Sequence, residues 1–236
     1  MTTFLLVQGA FEGGWYWRPL ARILERHGHD VFRPTFTGLG ERAHLMSRAV
    51  DLETHIADIL NVVKYERLED FVLVGHSYGG MVITGVADRV GQKVRALVYV
   101  DAALPKNGQA MFDLILPARR DAMLRSADEG GEGWKVPVPP YTSWGMTPEH
   151  AAEMEALSVP HPLATFTQKL KLDGNHLRVP RKAYMVAAQY KPSPFHGFAD
   201  WARTQPDWKV FDLPTHHFPM VSMPDELARL LLDVAK

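Results

Sequence analysis

An α/β fold is what this chain predicts: a mostly parallel central sheet, helices on both faces, and an inserted lid. Three observations carry that expectation. Short runs that are wholly apolar (Phe4–Val7, Phe71–Val74) or apolar but for Arg95 (Val94–Val100) have the length and composition of buried parallel strands, and they alternate with stretches of helical spacing. Strands that alternate with helices assemble into parallel sheets covered on both faces. From Leu104 to about Arg181 the alternation gives way to a Pro-punctuated stretch, long enough to be an insertion with a role of its own.

The 236 residues suit one large domain with a substantial core. The expected division is a core of residues 1–103 and 182–236 with a cap or lid of residues 104–181. A net charge of -1 points to neither nucleic acid nor an anionic membrane surface. The absence of cysteine excludes disulfides, thiolate catalysis and cysteine-based metal sites. Met1-Thr2-Thr3 leads directly into a strand, without the basic and long apolar segments of a signal peptide, so a cytoplasmic protein is expected.

Taken in order, Phe4–Val7 is a strand running into the Gly-rich loop Gln8–Trp15. Such a loop at a strand's carboxyl end can present backbone N–H groups to a reacting centre. Trp17–Arg26 reads as an amphipathic helix ending at Gly28, and Asp30–Arg33 as a second strand stopped by Pro34. Leu52–Tyr65 has helical spacing. Strand Phe71–Val74 follows, then a helix from Gly79 to Arg89, then strand Val94–Val100. In the insertion, short helical pieces are expected near Ala110–Leu116, Pro148–Leu157 and Pro162–Lys171. Ala183–Gln189 and Trp208–Leu213 read as further strands. Phe198–Arg203 and Asp225–Ala235 read as helices, with Pro224 at the start of the latter.

Chemistry concentrates at Gly75-His76-Ser77-Tyr78-Gly79-Gly80, a Gly-x-Ser-x-Gly turn with a strand before it and a helix after it. A strand reversing this sharply strains the middle residue, and Gly75 and Gly79 allow it because neither has a Cβ to clash. Ser77 then projects from the sheet's carboxyl end over the positive end of a helix, a nucleophile position. The competing reading is a plain βα turn. A dinucleotide turn needs Gly-x-Gly-x-x-Gly and a phosphate loop needs a following Lys, and both are missing.

Serine needs a base, and histidine has the suitable pKa. Of eleven histidines, only His216 and His217 follow the last strand, where the chain order serine, acid, histidine puts the base. His76 is expected to pack beneath the serine. His27 and His29 form a lone His-x-His pair at a helix end, weak evidence for a metal, so no metal and no cofactor is expected.

Together, Gln8-Gly9-Ala10 with Gly13-Gly14-Trp15, Gly75–Gly80, and His217-Phe218-Pro219-Met220 with Pro224 resemble the small, cofactor-free α/β-hydrolases. The chain is most similar to the branch of plant methylesterases, hydroxynitrile lyases and bacterial esterases. The resemblance spans nearly the whole chain and is weakest in the lid. It implies the α/β-hydrolase fold and favours His217, three places before Met220, as base. It also implies an oxyanion hole made by the backbone N–H groups of Ala10 and Tyr78, two donors worth roughly 3 kcal/mol each. Gln8 and Glu12 stand where the family commonly has histidine, and Glu12 is expected to place a charge near the pocket rim.

The acid is less direct. Where the plant members carry an aspartate, this chain reads Gln189-Tyr190-Lys191, and a phenol cannot supply a carboxylate's charge. Asp101, ending the strand after the serine turn, and Asp200 are the alternatives, with a Ser–His dyad if neither serves.

Ester hydrolysis through an acyl-enzyme is therefore the expected activity, with Ser77, His217 and Asp101 as triad and a small-molecule ester as partner. Activity is expected to rise around the histidine reference pKa of about 6.5. Phe11, Trp134 and Trp144 are the expected substrate contacts, for a small hydrophobic or aromatic acyl group. Two other readings stand beside it. Lyases of the family place a lysine after the histidine, where this chain has Phe218, and a non-catalytic binding module would carry an impaired triad. No nucleic-acid or membrane partner is expected. A homodimer is allowed for, since the sequence does not set the assembly.

Overall fold

Six strands form one parallel sheet in the computed structural model, which describes residues 1–236. In chain order they are β1 (Thr3–Val7), β2 (Asp30–Phe32), β3 (Phe71–His76), β4 (Val94–Val100), β7 (Arg181–Ala187) and β8 (Trp208–Leu213). Two-residue strands β5 (Lys135–Val136) and β6 (His161–Pro162) pair antiparallel apart from it. The sheet order is β2-β1-β3-β4-β7-β8, so the chain moves one way from β1 to β2 and the other way from β3 onward. Right-handed crossovers then put α1 (Arg18–Arg26) on one face, and α2 (Leu52–Tyr65) and α3 (Gly79–Val90) on the other. The closing helix α9 (Pro224–Ala235) packs beside α1. The reversal of strand order between β1 and β3 opens a crevice at the carboxyl ends, where open α/β sheets bind ligands.

Local sequence explains most boundaries. Asp51 caps α2 by accepting the Thr54 N–H at 2.9 Å, while the Thr54 hydroxyl accepts from the Asp51 N–H, a reciprocal cap worth about 1 kcal/mol. β7 begins two residues earlier than its apolar run. Lys182 is buried there, and its desolvation is offset by its ammonium donating to the Leu177 and Val179 carbonyls and pairing with Asp207. α7 (Phe195–Arg203) likewise starts three residues before the expected helix.

The segment between β4 and β7 departs most from expectation. Its main helix is α4 (Pro117–Gly130), where no helix is expected, and Ala110–Leu116 holds only a 3-10 turn at Met111–Asp113. Only Ala127 of α4 is buried, so the helix writes no apolar stripe into the sequence. α5 (Pro148–Leu157) matches expectation, whereas the expected Pro162–Lys171 piece shrinks to α6 (Ala164–Thr167). One continuous apolar cluster runs from the sheet (Phe4, Leu97) into this segment (Tyr141, Met154, Phe166). No helix is long and apolar enough to cross a membrane.

Candidate active site

β3 carries the chain to His76 and α3 starts at Gly79, leaving Ser77 and Tyr78 to make the reversal. Ser77 takes φ 54°, a left-handed conformation that costs a side-chain-bearing residue roughly 1–3 kcal/mol. Its carbonyl accepts from Gly80 and Ala103, and its N–H donates to Val100, which holds the strained turn. A Cβ at Gly79 would run into the backbone carbonyl of Gln8, so β1 and the helix start can approach only with glycine there.

The Ser77 hydroxyl lies 2.9 Å from His217 Nε2, and His217 Nδ1 lies 2.6 Å from Asp101 Oδ2. Asp101 is fully buried at the end of β4, at φ 40°, and its Oδ1 accepts the Ala187 N–H at 3.1 Å. Of the candidate acids, Asp101 is the one that touches the imidazole. Asp200 pairs with Arg203 on the exposed side of α7. Tyr190 fills the place of the missing aspartate as an aromatic wall, its ring 5.0 Å from that of His217. His217 also stacks on Phe195, while His216 turns away and accepts the Phe218 N–H.

Burial disfavours the imidazolium and holds His217 well below the ordinary histidine pKa, and the charge of Arg119 adds to this. Burial raises the Asp101 carboxyl, and the Ala187 N–H pulls it back. At 2.6 Å the two share a proton, and with it on Nδ1 the Nε2 atom is free to accept from the Ser77 hydroxyl.

A second chain of hydrogen bonds braces the imidazole from below. Gly9 N–H donates to the Tyr16 hydroxyl, Tyr16 to His76 Nδ1, and His76 Nε2–H to the His217 carbonyl at 2.8 Å. His76 is thus the packing residue expected beneath the serine, with its tautomer set by two partners. The N–H groups of Ala10 and Tyr78 make no hydrogen bond within the protein and both residues border the cavity at Ser77. Tyr78 is anchored through its hydroxyl to Nδ1 of buried His55, whose Nε2–H donates to the Thr37 carbonyl.

The cavity over Ser77 measures about 460 Å³. Phe11, Met111, Trp144, Phe166 and Phe195 give it an apolar wall. Two expectations are corrected here. Trp134, in the turn before β5, lies outside the cavity, its ring covered by the guanidinium of Arg48 and the ammonium of Lys135 and its indole N–H donating to Glu132. Glu12 places no charge at the rim: it is 2 % exposed behind the wall, and burial pushes its carboxyl up to about 8.

Glu12 belongs to a set of ties that the sequence does not reveal. Its Oε1 is 2.8 Å from the Tyr141 hydroxyl, which is 2.7 Å from that of Ser158, which donates to the Met154 carbonyl. Tyr141 donates to Glu12 Oε1, and the other carboxyl oxygen, Oε2, has no partner within the protein. His161 accepts the Phe11 N–H at 3.1 Å, and the Val159 N–H donates to the Phe11 carbonyl. These partners lie more than a hundred residues apart, so no local pattern signals them.

The sequence profile of the alpha/beta hydrolase family matches residues 4–230. A carbendazim-hydrolysing esterase of a Nocardioides species is 41% identical, over 98% of this chain and 98% of its own. A pyrethroid hydrolase of Sphingobium wenxiniae is 26% identical, over all of this chain and 88% of its own. Among solved structures, an extracellular α/β-hydrolase from a Paenibacillus species superposes with a TM-score of 0.87 over 99% of both chains, at 21% identity. With the family profile covering nearly its full length and a relative this similar from end to end, the chain belongs to the alpha/beta hydrolase family.

Proposed function

We infer that this protein is a carboxylic ester hydrolase working through a serine acyl-enzyme. The observation that carries the reading is the unbroken contact from Ser77 through His217 to buried Asp101. In this reading Nε2 takes the Ser77 proton as Oγ attacks the ester carbonyl, and the carbonyl oxygen becomes an oxyanion facing the free N–H groups of Ala10 and Tyr78. The imidazolium, held by Asp101, returns the proton to the departing alcohol. Water then enters, His217 activates it in the same way, and the acyl group leaves as the acid.

The apolar, aromatic wall suits an ester with a hydrophobic or aromatic body that fits about 460 Å³. The names of the two curated relatives, each a hydrolase or esterase of a small organic compound, agree with this. Residues 104–181 act as a cap in this reading, supplying Met111, Trp144 and Phe166 to the wall. The lyase alternative gains nothing from the site, since Phe218 follows His217 and no lysine lines the cavity.

The test is hydrolysis of p-nitrophenyl esters by the wild type and by Ser77→Ala and His217→Ala, with fluorophosphonate labelling of Ser77. Turnover and labelling by the wild type, both lost in Ser77→Ala, are expected. A wild type that neither labels nor turns over any ester would overturn the reading.

A further inference from the structure

Arg119 is the one permanently charged side chain on the cavity wall. Its guanidinium lies 5.5 Å above the ring of Trp144 and 5.8 Å above that of Tyr190, and both rings border His217. No carboxylate lies within 4 Å of it, whereas its neighbour Arg120 is paired with Asp121. The aromatic faces offset part of the cost of holding a cation in an apolar pocket, and apart from its contact with the Tyr190 hydroxyl the guanidinium's donors face the cavity without a carboxylate.

Its place on α4 adds to the positive potential. Arg119 sits in the first turn of that helix, where the macrodipole is positive and an acidic residue is favoured, and this turn contains none. A cation there is the wrong charge for helix stability. Facing the cavity, it is the right charge for an anion, and a guanidinium's planar fork matches a carboxylate.

We propose that the cavity takes esters whose body carries a carboxylate, paired with Arg119 while the ester carbonyl lies at Ser77. Arg119 is then a specificity-determining residue, one aromatic ring away from the base. The inference rests on the ester-hydrolase reading and narrows its substrate class to monoanionic esters. Charge in such a pocket acts more strongly than in water, so the pairing is expected to appear in KM rather than kcat.

The experiment compares two matched pairs: mono-p-nitrophenyl glutarate with p-nitrophenyl valerate, and 4-carboxyphenyl butyrate with phenyl butyrate. The first pair places the carboxylate on the acyl side, the second on the alcohol side. Each is measured with wild type, Arg119→Met and Arg119→Lys, after thermal melts show that the variants fold. The ratio of kcat/KM, anionic over neutral, is the readout. We expect the wild-type ratio to exceed that of Arg119→Met by about tenfold or more in at least one pair, through KM, with Arg119→Lys between them. Equal ratios in wild type and Arg119→Met for both pairs would overturn the inference and leave the ester reading standing. Inertness of the wild type towards all four esters, with Ser77 unlabelled by fluorophosphonate, would remove the ester reading and this inference with it.

Discussion

The imidazole of His161 accepts the backbone N–H of Phe11 across 150 residues of chain, at 3.1 Å and out of contact with water. Phe11 stands at φ 76°, a conformation its side chain disfavours, and it directly follows Ala10. The segment between β4 and β7 thus holds the loop that carries the Ala10 N–H, through His161, Val159 and the Tyr141–Glu12 contact. Because burial keeps His161 well below its ordinary pKa, the imidazole stays neutral and Nδ1 stays an acceptor.

That relationship predicts a positioning role. His161→Phe should lower kcat by roughly tenfold, a fraction of the 10²–10³ lost with a whole oxyanion donor, and leave KM nearly unchanged. His161→Asn, whose amide oxygen can occupy the place of Nδ1, should recover most of the rate. Affinity for a trifluoromethyl ketone inhibitor should fall in parallel with kcat. Equal loss in both variants, or a rise in KM alone, would argue for a packing role.

Asp101 and Asp200 separate cleanly. Asp101→Asn keeps the shape but not the charge or the tautomer control, and kcat should fall by about 10³–10⁴. Asp200→Asn alters an exposed pair with Arg203 and should stay within about twofold, in keeping with the small worth of surface ion pairs. Steady-state kinetics on one p-nitrophenyl ester decides between them.

The acid limb of the pH profile should lie below the reference histidine value of about 6.5. The base acts when neutral, and burial together with Arg119 disfavours its charged form, so activity persists to lower pH than an exposed histidine would allow. Removing the charge in Arg119→Met should move the limb to higher pH. A wild-type midpoint at 7 or above would mean that the elevated Asp101 carboxyl governs the limb instead.

Glu12 predicts a pH-dependent stability. Burial raises its folded-state pKa from 4.5 to about 8. The native state therefore keeps a proton that the unfolded chain gives up. The favourable contribution of the neutral carboxyl is complete below about pH 4.5 and is lost progressively as pH rises to 8, at about 1.4 kcal/mol per unit. Glu12→Gln, neutral at every pH and still able to accept from Tyr141 through its amide oxygen, should flatten this dependence. Its melting temperature should exceed that of the wild type at pH 8 by several degrees, and the gain should shrink at pH 4.5. A constant difference across that range would refute the assignment.

The sheet, the serine turn and the place of the candidate base were legible in the sequence because each depends on neighbours. Apolar runs of strand length report burial on both faces. Gly75 and Gly79 bracket a turn whose strain is set by adjacent backbone, and His216 and His217 alone follow the last strand, with the family resemblance favouring His217. Tertiary structure decided what depends on distant partners. It brought Asp101 to His217 across 116 residues, and laid the ring of Tyr190 against that of His217. It sealed Glu12 behind Tyr141, turned Trp134 away from the cavity, and set Arg119 over two aromatic rings on a helix with no apolar stripe to announce it. A carboxylate, an indole or a guanidinium carries the same letter whether paired, buried or solvated; its charge state and chemistry follow from the surroundings that folding supplies.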